Sequence, residues 1–174
     1  MSEDEEVDSS ILELMAASRT TAVPPEFLAE IGRVVANFAL LEYEFYILIH
    51  GLLGTRKEIS RIVTSELSFR NLLGLSASLV KEIHGEEEAE RFKETLKLAS
   101  EAEEERNRII HSVWGGGGSG NVVRSKHTAR RAKGLSFQRE EYSQEDLSAT
   151  ARKISRVIFC VERFRESLGY SWVF

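Results

Sequence analysis

Apolar residues recur at intervals of three and four along most of this chain, the spacing of helices that each bury one face. Phe27, Ile31, Val34, Phe38, Leu41, Phe45, Leu48 and Leu52 form the first such line. Val35, Leu40, Ile47 and Ile49 widen it, so the pattern predicts a central helix, opened by Pro24-Pro25 and ended by Gly51 and Gly54. A short amphipathic piece is expected over residues 56–64. A second long helix should begin at Ser68, carry Phe69, Leu72, Leu73, Leu75, Leu79, Val80 and Ile83, and stop at His84-Gly85. The third starts in the acidic run Glu86 to Glu88, which suits a positive helix N-terminus. Its inward line is Ala89, Phe92, Leu96, Ala99, Glu103, Arg106, Ile110 and Val113, so two charged residues lie on an apolar stripe.

The periodicity breaks at the glycine run between Gly115 and Gly120. Beyond it, Val122-Val123 and Leu135 to Phe137 favour strands around a basic middle, which predicts a two-stranded hairpin. Ser143 with Asp146 is close to a capping box for the last helix, which carries Leu147, Ala151, Ile154, Val157, Ile158, Val161 and Phe164. The fold class expected is all-α: an up-and-down helical bundle of four main helices, with a basic loop or β-hairpin insertion before the last. Residues 1–20 read as an acidic tail and a short helix from Ser9 or Ser10 to about Arg19. Residues 21–174 read as one helical domain, with the glycine-rich and basic insertion at 115–142.

Composition narrows the function classes. A single cysteine, Cys160, excludes an intramolecular disulfide and points to a reducing compartment. Its apolar neighbours, Val157 to Val161, predict a buried structural thiol. The acidic start lacks the pattern of a secretory signal, and no apolar run approaches the ~20 residues that span a bilayer. The expectation is therefore a cytoplasmic protein with no membrane partner. Net charge is −5, but it is unevenly spread: no aspartate or glutamate occurs from Arg106 to Arg139, a stretch with eight arginines and lysines. Such a stretch can meet a phosphate chain, although a solvated hairpin accounts for it equally well.

The chemistry concentrates at Arg106, Asn107 and His111, where the third long helix is about to end. Histidine and Arg108 suit the negative end of a helix. Arg106 fits that explanation poorly, unless Glu103 or Glu42 pairs with it in the core. Arginine and histidine together also make a phosphate site, the first as a planar fork and the second as a proton carrier. At ~100° per residue Asn107 and His111 share a face, whereas Arg106 and His111 are ~140° apart. A long side chain, an irregular helix end or a second copy across a two-fold axis would be needed for them to converge. His50, His84, His111 and His127 lack metal-ligand spacing, and no metal or cofactor is expected.

The segment "RNRIIH", on the third long helix of a helical bundle, resembles the signature of the HEPN superfamily: arginine, a polar residue often asparagine, then histidine after a short spacer. "IGRVVANFALLEYEFYILIHGLLG" resembles the first long helix of many bacterial HEPN-like proteins. The resemblance covers roughly residues 25–114 and the last helix. The tyrosine that some members carry two residues after the histidine is replaced by Val113. What the resemblance implies is metal-independent RNA cleavage by a homodimer whose two motifs meet in a cleft. Arg106 would stabilise the scissile phosphate and His111 would act as base or acid for attack by the neighbouring 2′-hydroxyl. Asn107 would orient the histidine or the phosphate, and the product would be a 2′,3′-cyclic phosphate. Arg108, Arg124, Lys126, Arg130 and Arg131 are candidate RNA contacts, with Glu42 and Glu103 as accessory groups. Such a protein would serve as a toxin or defence component, with an antitoxin or regulator protein as a further partner. The alternative is a non-catalytic domain of the same kind that binds a nucleotide, RNA or a protein. For Trp114, base stacking and covering the core at the helix end are both open, the second being favoured.

Overall fold

A computed structural model describes residues 23–117, 120–130 and 134–170, with side chains described for 23–117, 120–126 and 137–170. The expected acidic tail and first short helix lie outside these residues, as does Arg131. The chain is mostly helical, with one small sheet inserted before the last helix. Its helices are α1 (Pro25–Leu53), α2 (Lys57–Thr64), α3 (Phe69–His84), α4 (Glu86–Ile110) and α5 (Gln144–Ser167). Its strands are β1 (Val113–Gly116), β2 (Val122–Arg130) and β3 (Gly134–Tyr142).

Local chemistry sets these boundaries. Pro25 stands in the first turn of α1, where its missing N–H costs nothing. Gly54 ends that helix with φ 58°, a left-handed conformation that glycine adopts without a Cβ clash. Ser68 Oγ accepts from the Asn71 N–H at 3.3 Å to start α3. The full capping box forms at α5: Asp146 N–H donates to Ser143 Oγ at 3.2 Å and Ser143 N–H to Asp146 Oδ2 at 2.8 Å.

Helix α1 packs against α2, α3, α4 and α5, and α4 also packs against α3 and α5. A run of aromatic rings joins the long helices. Phe38 and Phe45 of α1 meet Phe69 of α3 edge-on at 4.8 and 5.5 Å. Phe92 of α4 stacks on Phe164 of α5 with centroids 4.2 Å apart. Cys160 departs from expectation: it is half-buried, and its neighbour Phe159 is 60% exposed. The inward line of α5 runs through Ile154, Val157, Val161 and Phe164, which turns Phe159 and Cys160 off the core.

The insertion has three strands rather than two. β1 pairs antiparallel with β2, from Val113 opposite Ser125 to Gly116 opposite Val122. β2 pairs antiparallel with β3, from Val122 opposite Tyr142 to Arg130 opposite Gly134. The sheet therefore begins two residues before the expected insertion and recruits the first glycines, whose backbone groups need partners as any others do. Gly117 N–H donates to Asn121 O at 2.9 Å to close the first turn, and a Cβ at Gly117 would sit 2.9 Å from that same oxygen. His127 lies in β2 opposite Phe137.

Candidate functional site at the end of α4

The last turn of α4 ends against the start of the sheet, and tertiary contacts satisfy its carbonyls. Arg124 Nη1 donates to Arg108 O at 3.1 Å, Trp114 Nε1 to Ile109 O at 2.9 Å, and Ser112 Oγ to Arg108 O at 2.7 Å. His111 N–H closes on Asn107 O at 3.2 Å. A guanidinium and an indole thus do what water does at an exposed helix end, and the positive charge of Arg124 suits the negative end of the helix dipole. Trp114 covers the helix end and meets Tyr142 edge-on at 5.3 Å.

Arg106 projects from this turn onto α1. Its Cζ lies 4.7 Å from the centroid of Phe38, within cation–π range. Its Nη1 donates to Asn107 Oδ1 at 2.7 Å. Its Nε is buried without a hydrogen-bond partner. The alternative ion pair of Arg106 with Glu42 or Glu103 does not form among the described residues; Glu42 and Arg106 act on each other through space. Burial pushes the Glu42 carboxyl above its ordinary range, the Arg106 charge works against that shift, and the Glu103 charge adds to it. The cation is therefore held by an amide and a ring face, and no carboxylate among the described residues neutralises it by contact.

Asn107 was expected to orient the histidine or the phosphate. Its side chain instead holds the arginine. This eases the angular problem noted above. Successive helical residues diverge by ~100°, and the bond to Asn107 draws the guanidinium toward the face that Asn107 shares with His111. His111 itself is the first residue beyond the helix (φ −97°, ψ 32°), and its imidazole is exposed. Among the described residues no side-chain hydrogen bond joins it to Arg106 or Asn107.

The remaining candidates divide. Arg124 is fully buried, bonded to Arg108 O and to Ser112 Oγ, with Nη2 3.0 Å from Glu140 Oε2. It is a structural cation inside the protein, not a surface on which RNA would lie. Arg108 is exposed, but it borders a cleft of about 470 Å³ that Glu105, Glu140, Glu141 and Asp146 also line. Four carboxylates make that cleft unfavourable for a polyanion. Lys126 is half-buried on β2 opposite Gln138. Arg130 ends β2, and Arg131 lies outside the described residues. His50 and His84 tie elements together: His50 Nδ1 meets Ser60 Oγ, and His84 Nε2 meets Tyr170 Oη, both at 2.9 Å.

Among the described residues no group of three or more histidine, cysteine or acidic side chains is arranged to hold a metal ion, and no helix is long and apolar enough to cross a membrane. No family model, curated protein or solved structure matches this chain. Sequence reasoning overlooked two residues that shape the site. Phe38 looked like one more core position, and Arg124 looked like one more surface cation. The place of Arg106 on an apolar stripe was the signal available for the first; alternation in β2 puts Arg124 on the same face as Val122, but puts Lys126 there too.

Proposed function

We propose that this chain is a HEPN-like, metal-independent endoribonuclease that acts as a homodimer, its four long helices forming an up-and-down bundle. One observation carries the reading. Arg106 is a half-buried guanidinium, fixed by Asn107 and Phe38, with no contact carboxylate among the described residues, one turn from an exposed histidine. A core ion pair would leave no capacity for a ligand; this arrangement keeps a preorganised cation for an anion. Arg106 stabilises the negative charge that builds on the scissile phosphodiester. His111 takes the proton of the 2′-hydroxyl as its oxygen attacks phosphorus. The P–O5′ bond breaks, and the departing 5′ oxygen takes a proton from the same histidine or from its counterpart in a second copy. The products are a 2′,3′-cyclic phosphate and a 5′-hydroxyl. An antitoxin or regulator protein would hold such an activity in check.

The experiment is cleavage of labelled RNA by the full-length protein in the presence of a chelator, with end analysis of the products. His111→Ala and Arg106→Ala should each abolish cleavage and leave the helical circular dichroism unchanged. Activity that survives both substitutions ends the catalytic assignment.

A second reading, a non-catalytic domain of the same kind that binds a nucleotide, RNA or a protein partner, has one observation in its favour. The His111 imidazole has no orienting hydrogen bond among the described residues, whereas general bases are commonly held by a third group. Purified protein that leaves diverse RNAs uncut but retains a defined ligand through Arg106 supports it.

A further inference from the structure

The three strands have two faces, and one of them packs on the end of α4. Trp114, Val122, Arg124 and Tyr142 alternate onto the face that covers the end of α4. The opposite face carries Val113, Gly115, Val123, Ser125, Phe137, Arg139 and Glu141. On it, Val113, Ser125 and Arg139 form one cross-strand row. Phe137 lies one row further out, and Val113 and Phe137 are 71% and 56% exposed. These residues line a shallow groove of about 260 Å³, floored by Gly115 and Gly116 and bordered by no carboxylate among the described residues. The nearest acid on that face, Glu141, stands opposite Val123, on the side away from Phe137. Val113 is two residues beyond His111, so the groove continues from the end of α4.

We infer that this face of the sheet is a binding platform for single-stranded RNA, with a base stacked on Phe137 and a backbone phosphate held by Arg139. An exposed aromatic ring accepts the π-face of any base, and two residues along the same strand Arg139 stands ~7 Å away, ready to meet the phosphate beside that base. Chemistry selects this occupant. The groove combines the exposed Phe137 ring, the Arg139 guanidinium and a glycine floor, and lies within the stretch from Arg106 to Arg139 that has no acidic residue. A duplex has its bases stacked inside and offers none to Phe137. The inference rests on the reading of RNA as the substrate. It adds where a nucleotide next to the scissile bond is held and why the substrate is unpaired.

The test is fluorescence anisotropy with a fluorescein-labelled single-stranded 12-nucleotide RNA of mixed sequence, and with the same RNA annealed to its complement. The protein is full-length His111→Ala, so that the probe stays intact. The single strand should bind more tightly than the duplex. Adding Phe137→Ala should weaken single-strand binding about five- to 150-fold, and Phe137→Trp should preserve it. Arg139→Ala should weaken it and reduce the salt slope by about 0.7. Single-strand affinity unchanged by Phe137→Ala, or a duplex that binds as tightly as the single strand, overturns the inference. The nuclease reading fails separately. If the protein with His111 intact leaves RNA uncut while Phe137 still governs single-strand affinity, the platform stands and catalysis does not. If RNA is cut while affinity ignores Phe137, the reverse holds.

Discussion

Arg106 Nη1 donates a 2.7 Å hydrogen bond to Oδ1 of Asn107, its neighbour in the chain. Adjacent helical side chains diverge, so this bond forms only because the guanidinium bends back around the helix, and Phe38 supports it from below. Asn107 is therefore a positioning residue. A hydrogen bond to a charged group contributes about 1.5–3 kcal/mol. Asn107→Ala should slow RNA cleavage by roughly ten- to 150-fold and also lower the melting temperature, because the same bond holds Arg106 in the folded protein. Asn107→Asp should be worse than Asn107→Ala, because a carboxylate in contact with Arg106 neutralises the charge meant for phosphate. Cleavage rates of the two variants decide the matter: an aspartate variant as active as the asparagine parent removes Asn107 from the site.

Burial shifts the Glu42 carboxyl above its ordinary range despite the nearby Arg106 charge. The sign follows from linkage. A carboxyl whose pKa is higher in the folded state than in the unfolded state favours folding while protonated, below the unfolded value near 4.5, and loses that contribution as pH rises through the folded value. Glu42→Gln keeps the shape and stays neutral. Its melting temperature should exceed the parent's at pH 7 to 8, with the gap closing toward pH 4. A variant less stable than the parent at neutral pH would mean that attraction to Arg106 outweighs burial.

Much of this architecture could be read before any coordinates. The helix limits at Pro25, Gly54, Ser68, Gly85 and Ser143 are set by residues that act locally, through a fixed φ, a left-handed turn or a side-chain cap. What could not be read depends on contacts across the chain. No local rule says that the glycine run joins a sheet, since β1 exists only because β2 presents a matching edge. Nor does local sequence distinguish Arg124 from Lys126, two positions apart on one strand face. The first is sealed beneath Trp114 and the end of α4, and the second is half-buried beyond it. At the candidate site the residue types were legible and their partners were not: Asn107, not Glu42 or Glu103, makes the contact with Arg106.

The burial of Arg124 separates a structural role from an RNA-binding one. Its guanidinium holds Arg108 O and Ser112 Oγ, and Nη2 stands 3.0 Å from Glu140. Arg124→Ala leaves a buried carbonyl less well satisfied and opens a cavity under the sheet. The expected loss is about 1–3 kcal/mol for the unpaired polar group alone, visible as a lower urea midpoint. RNA affinity per folded molecule, measured well below the melting temperature, should be unchanged. Full stability with weakened RNA binding would return Arg124 to the surface contacts.

Gly51 of α1 faces Tyr170, and a Cβ at Gly51 would lie 2.8 Å from the tyrosine Cγ. Tyr170 is held there twice. Its hydroxyl meets His84 Nε2 at 2.9 Å, and its carbonyl accepts from Arg165 Nη1 at 2.6 Å. Two effects of Gly51→Ala oppose each other. Alanine inside a helix is favoured over glycine by about 0.8–1 kcal/mol. Overpacking against a fixed ring costs about 1–3 kcal/mol, and displacing the ring also strains the bond to His84. With Tyr170 present the clash should win, and Gly51→Ala should lower the melting temperature. In a Tyr170→Ala background the ring is gone, only the helical preference remains, and the same substitution should raise it. Thermal melts of the four proteins in this cycle read the change of sign directly. If Gly51→Ala has the same sign in both backgrounds, the contact between α1 and Tyr170 does not hold the ring in place.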